Sequence, residues 1–229
     1  MGKIHVFAPG EYYHIYNRGT DKRPIFLDKS DRLRFLALLY LCNDTSSVHL
    51  GNLSRVYRGE TSVKFESYFD IQRSSKLVSI GAYCLMPNHF HIAIRAESEL
   101  GVSKFMQKIS TAYTMYFNRK YNRTGSLFQG VFKAEHLDSD VYLKYIFSYI
   151  HLNPLKLKDK NWKVNKINTS EARDYLKRYC YSSFPDFFED QRKSSKILDI
   201  GNFPDYFRKK IDFYSHIDDF LCMNEAKPR

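Results

Sequence analysis

The chain has 229 residues, of which 43% are hydrophobic and 27% are charged. This composition excludes an intrinsically disordered chain and is typical of an ordinary globular protein. The formal net charge of +11 indicates a polyanionic partner, with nucleic acid as the first candidate. A basic solvated surface without any partner is the alternative.

The spacing of the cysteines and the lengths of the apolar segments indicate the cellular location of the protein. Cys42, Cys84, Cys180 and Cys222 are far apart and form no C-x-x-C pair, which argues against a disulfide framework and against a thiolate zinc site. The N-terminus has no apolar segment of the length of a secretion signal, and no run of about 18 apolar residues occurs. We therefore expect a cytoplasmic protein without membrane contact.

Aromatic and β-branched residues predict strands, and apolar residues at helical spacing predict helices. In chain order the pattern predicts a strand over 11–17, a helix over 31–42, an irregular connection over 43–75 with a short strand near 62–65, strands over 76–86 and 89–95, a helix over 101–121, a strand over 128–136 and a helix over 139–151. Pro87-Asn88 forms the turn between the middle strands, and Asn153-Pro154 ends the last helix.

The order of these elements predicts a fold class. A strand, a helix, two strands, a helix, a strand and a helix in succession indicate a ferredoxin-like α+β fold, an antiparallel sheet with helices on one face. After Pro154 the composition shifts to Lys, Asp and aromatic residues. We therefore predict one domain over 1–155 and a C-terminal helical appendage over 156–229.

Two histidines stand two residues apart in the stretch PNHFHIAI. Side chains at positions i and i+2 of a strand point to the same face, so His89 and His91 lie side by side, while Phe90 faces the other way. Imidazole pairs at this spacing can bind Mg²⁺, Mn²⁺ or Zn²⁺ when a third ligand comes from elsewhere. The alternative is two solvent-facing histidines on a strand.

The predicted helix over 139–151 offers further polar groups. Tyr149 and Asn153 are four residues apart and share a helical face if the last turn continues, and Tyr145 lies one turn earlier on that face. His151 projects roughly 160° away from Asn153 on ideal helix geometry, so we do not expect it in the same cluster. The alternative is that the tyrosines of this helix belong to an amphipathic core stripe.

Basic residues concentrate in two segments. Arg18, Lys22 and Arg23 follow the first strand. The segment over 116–133 interleaves cations with aromatic rings, a composition suited to single-stranded or hairpin nucleic acid. Its cations are Arg119, Lys120, Arg123 and Lys133, and its aromatic residues are Tyr116, Phe117, Tyr121, Phe128 and Phe132. A basic, solvated helix end is the alternative.

Three blocks of the sequence together resemble a known family. GAYCLMPNHFHIAI, FMQKISTAYTMYFNRKYNRTGSLFQGVFK and YIHLNPLK are similar to the signature blocks of the single-tyrosine HUH transposases. The similarity is greatest to the REP-associated tyrosine transposases and their IS200-like relatives, and it covers about residues 8–158.

The resemblance implies a site and a reaction. His89, His91 and Asn153 would hold a divalent metal, Mg²⁺ or Mn²⁺, and Tyr149 would be the nucleophile. Tyr145 is the second choice, because some relatives carry KYIxxQ where this chain has KYIFSY. The expected reaction is cleavage and rejoining of single-stranded DNA near a hairpin through a covalent 5′-phosphotyrosine, by a monomer or a homodimer.

Three other functions remain open at this point. The first is an H-x-H metal nuclease that uses water, and the second is a DNA-hairpin-binding protein without cleavage activity. The third, an RNA-binding module, rests on charge and aromatic content alone.

Overall fold

The structure, a computed structural model, describes residues 6–46, 65–164, 167–187, 192–205 and 210–222. The short strand predicted near 62–65 lies outside the described residues, except for Phe65. That residue begins a 3₁₀ turn, Phe65–Asp70.

The described chain contains a four-stranded antiparallel sheet. Its strands are β1 (Tyr12–Arg18), β2 (Val78–Met86), β3 (His89–Ala96) and β4 (Lys133–His136). Their order across the sheet is β2-β3-β1-β4, and every neighbouring pair is antiparallel. The last strand in the chain thus pairs with the first, which is the arrangement of a ferredoxin-like sheet. The predicted fold class is confirmed.

Six α-helices accompany the sheet in the described residues. They are α1 (Lys29–Leu41), α2 (Gly101–Lys120), α3 (Asp140–Leu152), α4 (Leu155–Lys158), α5 (Thr169–Arg178) and α6 (Lys210–Cys222). Side-chain caps fix three of the starts: Asp28 and Asp31 form a capping box at α1, Ser139 accepts from the backbone N–H of Tyr142 at α3, and Asn168 accepts from that of Glu171 at α5. None of the described helices combines the length and the apolarity needed to cross a membrane.

The helices lie on both faces of the sheet, which corrects one part of the prediction. Phe90, Ile92 and Ile94 point to the face where α1 and α2 pack. Ala82 and Ala93 point to the other face, where they pack with α3 and residues of the C-terminal region. All residues of β2 are buried, so neither face of this strand can be left to water. The expectation of helices on one face therefore holds for α1 and α2 only.

The strand predicted over 128–136 is shorter in the structure. Phe128 forms only an isolated bridge with Gly19, and regular pairing with β1 begins at Lys133. Gly130 between them has a φ of +70°, a left-handed conformation that interrupts a ladder. The chain therefore turns before it joins the sheet.

The C-terminal region packs along the free edge of β2. Backbone N–H groups of Leu85 and Ser183 donate to the carbonyls of Tyr181 and Tyr83 at 3.0 and 2.9 Å. Closer to the start of β2, a Cβ atom on Gly81 would come within 2.6 Å of the Phe203 ring, so only glycine fits there. Residues after 155 thus cover a sheet edge that would otherwise expose unpaired backbone groups. The domain boundary at 155 stays a prediction.

His151 is a structural residue of this contact, as its predicted direction implied. Its ring is fully buried, with Nδ1 2.9 Å from the Phe147 carbonyl and Nε2 2.7 Å from the Ser183 hydroxyl. Ser183 Oγ also accepts from the backbone N–H of Tyr83 at 2.9 Å. One buried hydroxyl therefore joins α3, β2 and the C-terminal region.

We predict that Ser183→Ala lowers the free energy of unfolding by about 1–3 kcal/mol, because it leaves buried polar groups of His151 and Tyr83 without a partner. Chemical denaturation measures this change. Ser98→Ala, at an exposed serine, is the control and should shift the midpoint little. Equal midpoints for the two variants would contradict this account.

Candidate active site

The strand register brings polar side chains together on the face that α3 covers. Tyr16 lies opposite His91 and Arg18 lies opposite His89 in the β1–β3 pair. On the other side of β1, His14 lies opposite Glu135 of β4. Side chains directly opposite each other in an antiparallel pair share a face. The order across the sheet thus builds one polar surface from β3, β1 and β4.

His89 and His91 lie side by side, as the sequence predicts. Their ring centroids are 5.0 Å apart. His91 is buried, His89 is half-buried, and His89 Nδ1 lies 2.6 Å from the side-chain oxygen of Asn88. Phe90 is fully buried on the opposite face against Phe35, and it anchors the strand between the two histidines.

His14 extends the pair into a row of three imidazoles. Its Nε2 lies 2.9 Å from His91 Nδ1, and its Nδ1 lies 4.0 Å from a carboxylate oxygen of Glu135. Glu135 in turn accepts from the hydroxyls of Tyr16 at 3.1 Å and Tyr142 at 2.6 Å. His14 and Glu135 were not predicted from the sequence. Alternation in YYHIYN could have assigned His14 a face, but only the strand pairing shows which residues share it.

Tyr149 stands directly against the histidines. Its ring centroid is 5.4 Å from that of His91 and 6.2 Å from that of His14, both in edge-on geometry. Tyr145 stacks on Tyr149 with centroids 6.3 Å apart and also packs against Phe220. A cavity of about 250 Å³ opens here, lined by His14, Tyr16, His91, Glu135, Tyr145, Ile146 and Tyr149.

Asn153 caps the end of α3 and accepts a hydrogen bond from a lysine ammonium. The side-chain amide is buried, and its Nδ2 donates to the Tyr149 carbonyl at 2.9 Å. Its Oδ1 accepts from the Lys156 ammonium at 3.0 Å. The same ammonium lies 4.9 Å from the centre of the Tyr149 ring, on which it makes a cation–π contact. Lys156 was not predicted from the sequence as a residue of the site.

Both predicted metal-ligand histidines are held in the neutral form. Burial, with the charges of Lys156 and Arg18, lowers the pKa of His89 to about 4. Burial, together with His14, His89 and Lys156, lowers the pKa of His91 well below its ordinary value. At pH 7 each imidazole therefore keeps the lone pair that binding a cation requires.

The side chains present fit a divalent cation when an amide oxygen is counted. Among the described residues no group of three His, Cys, Asp or Glu side chains could hold a metal by itself. His91 Nε2 is buried, and it meets no hydrogen-bond partner in the part of the chain that is described. Asn153 Oδ1 already accepts from a cationic group. Neutral imidazole nitrogens and an amide oxygen form a donor set that such a metal accepts.

The basic residues predicted to bind DNA differ in their surroundings. Arg18, Lys22, Arg119 and Lys133 are exposed. Arg18 donates to the side chain of Gln129. Arg23 donates to the carbonyl of Thr20 at 3.0 Å, and Arg123 donates to the side chain of Asn118 at 3.1 Å.

Lys120 takes part in a local charge cluster. Its ammonium lies 2.6 Å from a carboxylate oxygen of Asp28 and 2.8 Å from one of Asp31. The Asp31 carboxylate is buried and also accepts from the hydroxyls of Tyr116 and Tyr121 at 2.8 Å. These contacts tie the end of α2 to the start of α1.

The aromatic residues of the same segment are mostly core residues, which corrects the expectation of base stacking. Phe117 is 2% exposed, Phe128 5% and Tyr116 9%. Tyr113, one turn before this segment on α2, is also fully buried on the α1–α2 face, and its hydroxyl donates to the Ile25 carbonyl at 2.5 Å. Burial in the apolar cluster of the α1–α2 face takes these rings away from any base.

A family model described as "Transposase IS200 like" matches residues 51–153 of the chain. This segment is similar to IS200-like transposases. The match supports the family predicted from the three sequence blocks. The IS200-like segment contains His89, His91, Glu135, Tyr149 and Asn153, whereas His14 lies before it.

Two further comparisons concern a solved structure and curated protein sequences. A solved structure described as a REP-associated tyrosine transposase bound to a REP hairpin is 12% identical to this chain. The superposition covers 80% of this chain and 81% of the chain in that structure, with a TM-score of 0.47. A comparison with curated protein sequences finds no match.

In the metal-free protein we predict that the His89 imidazole stays neutral as the pH falls from 8 to 5 and takes up its proton near pH 4. Lys156→Met should raise that midpoint, because removal of the ammonium removes one source of repulsion for the imidazolium. NMR titration of the imidazole Cε1–H resonances measures both midpoints. Lys104→Met, an exposed lysine of α2, is the control. A wild-type midpoint near the ordinary value of 6.5 would contradict the geometry.

Proposed function

We propose that the protein cleaves and rejoins single-stranded DNA near a hairpin, with Tyr149 as the nucleophile. The observation that carries the proposal is the contact of the Tyr149 ring with His91. A phenol able to form a covalent intermediate thus stands beside the imidazole pair expected of its family. Tyr145 is the second choice, one turn away on the same cavity.

His89, His91 and Asn153 would hold the divalent metal in this proposal. The chemistry that bound Mg²⁺ or Mn²⁺ supplies is polarisation of the scissile phosphate and compensation of charge in the transition state. The support is the neutral state of both imidazoles and the amide oxygen that already accepts from an ammonium.

The bond changes of the cleavage step balance without a further reactant. The Tyr149 hydroxyl oxygen forms a bond to phosphorus, the bond from phosphorus to the 3′-oxygen breaks, and the phenol proton is lost while the 3′-oxygen gains one. The products are a 5′-phosphotyrosine and a free 3′-hydroxyl, and reversal rejoins a strand. The Lys156 ammonium lies 4.9 Å from the centre of the Tyr149 ring and so places a positive charge beside the attacking group.

Exposed cations would guide the DNA backbone toward this face. Arg18 lies opposite His89 in the sheet, which places a guanidinium beside the imidazole pair. Lys22, Arg119 and Lys133 add exposed positive charge, and the net charge of the chain is +11. Such contacts supply affinity without reading sequence.

We predict that Tyr149→Phe abolishes the covalent DNA adduct, with a loss on the order of 10³-fold or more, since the nucleophilic oxygen is gone. Tyr145→Phe keeps the stacked ring and should retain the adduct. The assay is incubation with single-stranded hairpin DNA and Mn²⁺, followed by a denaturing gel.

The outcomes separate the alternatives. Cleavage that persists without an adduct in Tyr149→Phe would indicate a nuclease that uses water. Binding without cleavage by the wild type would indicate a hairpin-binding protein. An adduct lost only in Tyr145→Phe would transfer the nucleophile to that residue.

A second prediction compares neighbouring cations of α2. Arg119→Gln should weaken DNA binding and reduce the slope of log affinity against log salt by about 1, as for loss of one phosphate contact. Lys120→Gln should instead lower the free energy of unfolding by about 1–3 kcal/mol, because the buried Asp31 carboxylate loses its cation. Salt-dependent binding and chemical denaturation measure the pair. Equal effects of both changes on DNA affinity would contradict this division.

A further inference from the structure

We propose that His14 is a positioning residue that holds His91 in one tautomer and one ring orientation, with Glu135 behind it. The Nδ1 atom of His91 would carry the proton and donate it to His14 Nε2, which leaves His91 Nε2 with its lone pair. The inference rests on the proposed function for its metal, and on the geometry of this chain for its tautomer.

The distances form a continuous row from β3 to β4. His91 Nδ1 and His14 Nε2 are 2.9 Å apart, and His14 Nδ1 is 4.0 Å from the Glu135 carboxylate. The two rings are nearly parallel, with an interplanar angle of 23°. The strand register explains the row. His14 lies opposite Glu135 in the β1–β4 pair. It also lies two residues before Tyr16, on the same face of β1, and Tyr16 lies opposite His91 in the β1–β3 pair.

The proton can have only one place between the two histidines. One nitrogen of the 2.9 Å contact must donate and the other must accept. The Glu135 carboxylate oxygen lies 4.0 Å from His14 Nδ1, beyond hydrogen-bond distance, and its negative charge favours a proton on that nitrogen, so His14 Nε2 is the acceptor. His91 then donates from Nδ1, and its buried Nε2, which has no partner in the described residues, is the lone-pair nitrogen.

Support by an outer partner is a general feature of metal-binding histidines. The hydrogen bond made by the second ring nitrogen fixes the tautomer and the orientation, and its loss typically costs 10–100-fold in metal affinity. His89 shows the same arrangement in shorter form, since its Nδ1 lies 2.6 Å from the Asn88 oxygen. The chain thus provides each histidine of the pair with a partner at Nδ1.

Two substitutions at one position separate positioning from packing. His14→Phe fills the space of the ring but cannot accept a hydrogen bond. His14→Gln offers an oxygen near the place of Nε2 and can accept the His91 proton. Tyr12→Phe, on the same strand as His14, is the control. It removes a hydroxyl that donates to the Asn202 carbonyl.

The experiment has two readouts on the metal-free and the Mn²⁺-loaded protein. Long-range ¹H–¹⁵N NMR of ¹⁵N-histidine reports the tautomer of His91, and EPR of free Mn²⁺ reports affinity. We expect the Nδ1–H tautomer in the wild type, a tautomer mixture and a 10–100-fold weaker affinity in His14→Phe, and recovery of both in His14→Gln. Tyr12→Phe should match the wild type in both.

Each contrary outcome has a definite meaning. An Nε2–H tautomer of His91 in the wild type would overturn the proposal, as would equal Mn²⁺ affinity of His14→Phe and wild type. Equal weakening in His14→Phe and His14→Gln would assign His14 to packing and would also overturn it. If the wild type binds no Mn²⁺, the metal of the proposed function fails, while the tautomer of His91 still decides the role of His14.

Discussion

The insertion of β1 between β3 and β4 is the constraint on which the site depends. This pairing places His14 next to His91 on one side and Glu135 on the other. A register slip of one residue would turn the side chains of β1 to the opposite face, and an apolar side chain such as Ile15 would replace His14 in the row. The stability of the sheet and the geometry of the site therefore have the same origin.

One face of the sheet packs an apolar core, and the other face carries the candidate active site. On one face Phe90, Ile92 and Ile94 pack under α1 and α2 in an apolar cluster. On the other, α3 brings Tyr149 onto the histidines and leaves a cavity beside them. Burial on this second face keeps the imidazoles neutral, and Lys156 adds a charge at the phenol. The apolar cluster on the first face thus stabilises a sheet whose second face buries polar groups at a cost in free energy.

The sequence predicted local features better than long-range ones. The shared face of His89 and His91 follows from the two-residue period of a strand. The shared face of Tyr149 and Asn153, four residues apart, follows from the helical period. His14 and Glu135 could not be predicted, because their meeting depends on pairing between strands more than 100 residues apart. The rings of Phe117 and Phe128 were predicted to form a stacking surface but are buried, because their interleaving with cations does not show which side of the segment faces the core.

The most direct test of the central claim is the location of the covalent bond. The DNA adduct formed with hairpin DNA and Mn²⁺ can be digested with nuclease and protease, and the peptide that carries the remaining nucleotide can be sequenced by mass spectrometry. The contact between Tyr149 and His91 predicts the modification on Tyr149. A modification on Tyr145, or on any tyrosine of the α1–α2 face, would contradict the account.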